Sequence, residues 1–195
     1  IGNENYANGG AATAIGAGNE ARAGATVALG NKNNANATSA VAVGNYNNQN
    51  YTKGSNQTTP KQACNYSTAV GSYNAALGDN SVFVGSMNTS HVADTVTIGQ
   101  NNNAKTMGGI SIGKNNLTDS TNGGRNFAAT ADENSQIAIG RDNEATHLDT
   151  IAIGRETKAT GSGATVVGAR AEASGNNSIA IGQSGKDSPK VIASG

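Results

Sequence analysis

A short phrase, aliphatic–small–aliphatic–Gly, recurs along the chain at a fixed interval, and that interval constrains the fold more than any other feature. It reads Val27-Ala28-Leu29-Gly30, Val41-Ala42-Val43-Gly44, Ile137-Ala138-Ile139-Gly140, Ile151-Ala152-Ile153-Gly154 and Ile179-Ala180-Ile181-Gly182. The glycines that close it stand at 2, 16, 30, 44, 71, 85, 99, 113, 140, 154, 168 and 182. Nine of the eleven intervals are 14 residues, and the other two are both 27. No helical or heptad pattern gives that spacing, so the chain is a tandem array.

Within each unit the grammar is that of β-structure. Ile, Leu or Val stands one residue before every repeat glycine; Val, Ile or Thr stands three before it in most copies. Alternation with period 2 and β-branched residues reads as a strand with one buried face. Three residues after the glycine stands Asn in nine copies, and five after it stands Ala in eight. Charges such as Glu20, Arg22, Glu144, Lys158 and Glu172 fall around these alanines, which predicts a second short strand with small residues inward. Two strands and two turns in 14 residues make one coil of a parallel β-solenoid of about twelve coils. Gly suits the first turn and Asn is the next-best residue for such bends. Stacked asparagines are expected to form a hydrogen-bonded ladder along the axis.

The composition sets how such a coil is filled. Leu, Ile, Val and Phe together number 29 of 195 residues, and 20 of them occupy the two aliphatic positions before the repeat glycines. The expected core is therefore one side chain thick, with the aliphatic pair facing an Ala wall. The small residue between them, as at Ala14, Ala28, Ala42, Ala138, Ala152 and Ala180, is then expected to face outward. A flat outward Ala row predicts close approach of another chain, hence a homo-oligomer with these alanines at its interface.

The phrases Asn177-Ser178-Ile179-Ala180-Ile181-Gly182 and Ser135-Gln136-Ile137-Ala138-Ile139-Gly140 resemble the head repeats of YadA-like trimeric autotransporter adhesins, and the 14-residue period extends that likeness over nearly the whole chain. The resemblance implies a left-handed parallel β-roll, three chains side by side as a homotrimer, and display on the outer membrane of a Gram-negative bacterium. It also implies attachment to host extracellular-matrix proteins or cell receptors, self-association and a part in virulence. Residues 1–195 are expected to form a single head segment. The chain opens inside a repeat at Ile1-Gly2 and closes on Ala193-Ser194-Gly195, which echoes Ala173-Ser174-Gly175; both ends are expected to lie within a longer array.

Other chemistries find little support. Basic and acidic residues balance at 13 each, with no basic run to hold nucleic acid, and no stretch is apolar enough to make a membrane contact by spanning. One Cys leaves no disulfide framework or multi-Cys zinc site, and Cys64 reads as a small residue on the coil wall. Gly16-Ala17-Gly18-Asn19-Glu20-Ala21 fits a dinucleotide-binding pattern but precedes another coil rather than a helix. Gly109-Ile110-Ser111-Ile112-Gly113 fits a nucleophile elbow, yet Ser111 stands where other copies carry Ala, Thr or Phe. His91 and His147, the two histidines, join no recurring Asp and Ser arrangement. No cofactor, no metal and no catalytic residue is expected.

The two long intervals each hold about 13 extra residues, near 48–60 and 117–129. Insertions in repeat folds become surface loops and often form the binding face. Tyr51, Lys53 and Lys61 at the first, and Arg125 and Phe127 at the second, are the ligand-binding candidates, being residue types enriched at interface hot spots. The leading expectation is an adhesin head without enzymatic activity. The alternative is a carbohydrate-binding or carbohydrate-cleaving solenoid such as a phage tail-spike segment. That reading needs acidic or Arg residues clustered on adjacent coils; Lys114, Arg141 and Arg155 share the position after Gly but are expected to meet no carboxylate cluster.

Overall fold

The computed structural model describes residues 1–48, 65–119, 135–183 and 191–194. Tyr51, Lys53, Lys61, Cys64, Arg125 and Phe127 lie outside the described residues. The chain divides into two compact units, Ile1–Gly99 and Gln100–Gly195, and each is a stack of parallel β-coils.

Each regular coil contributes a five-residue strand running one residue past the repeat glycine, and a two-residue strand beginning four residues after it. In the first unit the long strands are Thr13–Ala17, Val27–Asn31, Val41–Asn45, Thr68–Ser72 and Val82–Ser86, with Val96–Gln100 at its boundary. They pair in parallel with glycine on glycine: Gly16 on Gly30, Gly30 on Gly44, Gly44 on Gly71, Gly71 on Gly85. In the second unit Ile110–Lys114, Ile137–Arg141, Ile151–Arg155, Thr165–Ala169 and Ile179–Gln183 stack in the same register. These eleven five-residue strands make about eleven turns rather than twelve, because Gly2–Asn3 is only a two-residue start.

The 27-residue intervals leave the register intact. Val41 pairs with Thr68 and Ile110 with Ile137. Asn48 bridges Asn34 and Ala75, and Leu117–Thr118 pairs with Asn103–Ala104 and Glu144–Ala145. The regular coil thus runs through Asn48 and Thr118, and the extra residues begin later than 48 and 117.

The core reverses the expected facing of the long strand. Ala28, Ala42, Ala138 and Ala152 have no exposed surface, Ala14 and Ala180 are 6% and 2% exposed, and Ser111, Thr97, Val166 and Phe83 occupy the same inward position. The flanking aliphatic residues point out of the coil: Ile15, Val84 and Ile98 are exposed, and Leu29, Val43, Ile139 and Ile153 half-buried. The alanines expected at an oligomer interface are therefore interior. The reason is width. The short strand across the coil carries Ala21, Ala35, Ala76, Ala145, Ala159 and Ala173 inward, all buried, and a two-strand coil of 14 residues leaves the opposing walls room for little more than methyl groups. Packing at crystal-like density admits no two rows of Ile there.

Hydrogen bonds do what the thin apolar core cannot. In the first unit Asn19, Asn33, Asn47, Asn74 and Asn88 each donate from Nδ2 to Oδ1 of the preceding ladder residue at 2.9–3.1 Å. In the second unit Asn116 Nδ2 likewise donates to Asn102 Oδ1, after which the backbone N–H of Asn143 donates to Asn116 Oδ1 and the Thr157 hydroxyl to Asn143 Oδ1 at 2.6 Å. These buried amides are fully engaged, as burial of polar groups demands.

The bend itself differs from the expectation in one respect. The left-handed residue is the one preceding the ladder position, not the asparagine itself: Lys32, Tyr46, Tyr73, Met87, Asn115 and Asp142 before an asparagine, Glu156 before Thr157 and Arg170 before Ala171 all have φ between 51° and 57°. The repeat glycine also lies at positive φ, 117° at Gly30, where a Cβ would collide with the carbonyl oxygen of Gly44 in the next coil. Close approach of backbones, as much as the turn, fixes glycine there.

Candidate functional site: an outward aliphatic face

Because the long strands stack in register, their outward residues form two columns on one face of each unit. In the second unit these columns are Ile110, Ile137, Ile151, Thr165, Ile179 and Ile112, Ile139, Ile153, Val167, Ile181. In the first they run through Val27, Val41, Thr68, Val82 and Leu29, Val43, Val70, Val84. Ile181 is 69% exposed and Ile15 41%. The backbone hydrogen bonds of this sheet are closed coil to coil, so what remains to be covered is apolar side chain. Contiguous apolar surface of this extent marks an interaction face, and the stiff β-branched residues that build it lose little freedom when covered.

A second set of columns follows the glycine. Lys114, Arg141 and Arg155 stack one residue after it. Two single carboxylates lie against them: Arg141 Nε is 3.3 Å from Asp142 Oδ2, and Arg141 and Arg155 are each 3.8 Å from Glu156 Oε1. Arg170 Nε donates to Glu156 Oε2 at 2.8 Å. That bond, joined by the charges of Arg155 and Arg141, holds the Glu156 carboxyl below its ordinary value. In the first unit the left-handed column is aromatic: the Tyr46 and Tyr73 rings stack at 5.0 Å and 3°, and Lys32 Nζ lies 5.2 Å from the Tyr46 centroid. Beside it, Arg22 pairs with Glu20 and covers the Tyr6 ring at 4.8 Å. A shallow open depression lies where Gly18 interrupts this column, bordered by Glu4, Tyr6, Arg22 and Lys32.

The remaining sequence candidates fall as follows. Ser111 is wholly buried, its hydroxyl 3.5 Å from the Asn116 carbonyl oxygen, which makes it a wall residue of the coil. After Gly16-Ala17-Gly18 comes the two-residue strand Glu20–Ala21, not a helix. His91 is exposed, and His147 half-buried with its carbonyl accepting from Gln136. Among the described residues no three His, Cys, Asp or Glu side chains converge as metal ligands, and no helix is long and apolar enough to cross a membrane. Sequence reasoning missed the outward facing of the aliphatic pair. The available signal was size: the position between them is small in nearly every copy, while the flanking positions vary freely among Ile, Val, Leu and Thr.

Comparison with known proteins points the same way as the coil geometry. No curated protein sequence matches the chain. The family described as the YadA head domain repeat matches residues 21–47, 65–85, 137–157 and 159–184, in register with the coils of both units. Its members are adhesins rather than enzymes. The chain belongs to this family and is a YadA-like adhesin head built from YadA head domain repeats.

Proposed function

We propose that the chain is a single head segment of a homotrimeric surface adhesin, exposed outside the outer membrane of a Gram-negative bacterium. In this reading it attaches the cell to a host extracellular-matrix protein or receptor, self-associates, and contributes to virulence. The observation that carries it is the aliphatic face. Three left-handed rolls placed side by side bury that face against one another, which supplies the apolar burial that the Ala-lined coils lack. Binding is then multivalent, because every surface element is presented three times and weak contacts gain from effective concentration.

Specificity is assigned to the insertions, with Tyr51, Lys53 and Lys61 on the first and Arg125 and Phe127 on the second as contact residues. The test is excision of both insertions, followed by sedimentation and by attachment to immobilised matrix proteins and epithelial cells. The expected product is a folded trimer that no longer attaches. Full attachment after excision moves the binding site to the regular coils, and a monomeric parent protein overturns the trimer.

A further inference from the structure

The basic column of the second unit is an unusual arrangement for a sheet. Lys114, Arg141 and Arg155 are register partners in three successive coils, so their Cα atoms sit at about the 4.7–4.9 Å spacing of neighbouring strands. Like charges directly opposite one another on paired strands repel. Arg170 adds a fourth cation in the following coil. Among the described residues only Asp142 and Glu156 pair with these arginines, and both carboxylates are divided. Asp142 Oδ1 accepts from Asn115 Nδ2 at 2.9 Å while its other oxygen faces Arg141. Glu156 is shared by Arg141, Arg155 and Arg170, and of the three only Arg170 donates a hydrogen bond to it.

The outcome is a row of cations with spare donors. Arg155 approaches a carboxylate only at 3.8 Å, Arg141 bonds through one edge, and Lys114 has no ion pair among the described residues. The Arg141 and Arg155 side chains are 52% and 42% exposed. A guanidinium presents a planar fork suited to a tetrahedral oxyanion. Cations that recur along a line fit anions that recur along a line.

We propose that Lys114, Arg141 and Arg155 form a docking strip for a linear sulfated polysaccharide lying along the coil axis. The choice of a sulfated glycan over other polyanions rests on the extracellular placement in the reading above, since that is where such polymers meet a surface adhesin. Glu156 is a positioning residue, which lies against Arg141 and Arg155 of the row and against Arg170 beside it.

The test uses the whole chain and heparin as the probe. The parent protein is expected to bind immobilised heparin at low salt and to release it as NaCl rises, because the attraction is screened. The triple variant K114Q/R141Q/R155Q is expected to bind about tenfold more weakly or worse, through loss of three rim charges, with unchanged melting and sedimentation. Lys105→Gln and Lys158→Gln remove cations already paired with Asp119 and Glu144, and are expected to bind heparin as the parent does. Equal binding by the triple variant, undiminished binding to desulfated heparin, or equal affinity for duplex DNA overturns the proposal. So does a changed oligomeric state in the triple variant, which makes the column a subunit contact. Sedimentation of the parent tests the trimer separately, and excision of the insertions tests host attachment separately, so either reading can fail alone.

Discussion

Asn33 hangs from Asn19 by two bonds to a single oxygen: its Nδ2 and its backbone N–H both donate to Asn19 Oδ1, at 3.0 and 3.1 Å. The same Nδ2 reaches the carbonyl oxygens of Leu29 and Gly44 at 2.9 and 2.8 Å, while Asn33 Oδ1 accepts two bonds from Asn47. One buried amide therefore ties together three coils. In a coil whose apolar interior is mostly methyl groups, this ladder carries a share of stability that aliphatic packing carries elsewhere.

Asn33→Ala leaves several of these groups buried without partners, at about 1–3 kcal/mol each. The expected loss is at least ~3 kcal/mol, read by urea or thermal denaturation. Asn33→Thr is expected to lose less, because Thr157 already continues the ladder by donating to Asn143 Oδ1. Equal losses for the two variants contradict a ladder in which the hydrogen bond, rather than side-chain volume, matters.

Phe83 is the one aromatic side chain buried among the described residues, at a position that holds Ala in most coils. It packs with Ala69 and Ala76. Truncation to Ala leaves a cavity that neighbouring small side chains cannot fill, and the expected cost is about 3–5 kcal/mol. The converse substitution, Ala42→Phe, overfills a coil of ordinary width and is expected to destabilise as well. Denaturation midpoints of the two variants check whether coil width is local to Phe83.

The period, the register and the Asn ladder were legible in the sequence because each is a repetition, and repetition survives any local ambiguity. The facing of the long strand was not. Period-2 alternation defines two faces without naming the inner one, and the habit of sending Ile and Val inward fails when Ala21 and Ala35 stand so close across the coil. The left-handed position was also hidden, since it carries Lys32, Tyr46, Met87, Asp142 and Arg170, side chains with nothing in common. What selects them is the column they join outside the coil: tyrosine on tyrosine, arginine beside glutamate. Leu117 fills a place that is polar or small in most coils, yet Leu117–Thr118 is a regular short strand.

Glu156 adds a pH-dependent contribution to the second unit. Its carboxyl titrates below the ordinary 4.5, chiefly through the hydrogen bond from Arg170. A group whose folded value is depressed contributes stability that is present above its unfolded value and is lost as pH falls through the folded one. The parent is therefore expected to lose stability below about pH 4.5 more steeply than Glu156→Gln, the two melting curves converging at low pH. Arg170→Gln is expected to flatten the same limb. Parallel pH profiles for parent and Glu156→Gln would dismiss this role.

Ile153 and Ala152 are adjacent, yet the coil sends them to opposite destinations, and this pair tests the central structural result. Ala152 is wholly buried within the coil, so Ala152→Lys forces an ammonium and four methylenes between two walls of methyl groups and is expected to abolish folding. Ile153 points outward, half-buried by its column neighbours, so Ile153→Lys leaves the coil itself folded, with strand content by circular dichroism near that of the parent. In the proposed trimer it removes apolar burial between chains, about 1.5–3 kcal/mol for each Ile side chain covered. In that trimer it also places three ammonium groups on the shared face. Sedimentation is expected to show the parent as a trimer and Ile153→Lys as a folded monomer. Had the Ala row been the contact and the Ile columns the core, the two variants would exchange behaviour, with Ala152→Lys a folded monomer and Ile153→Lys unfolded.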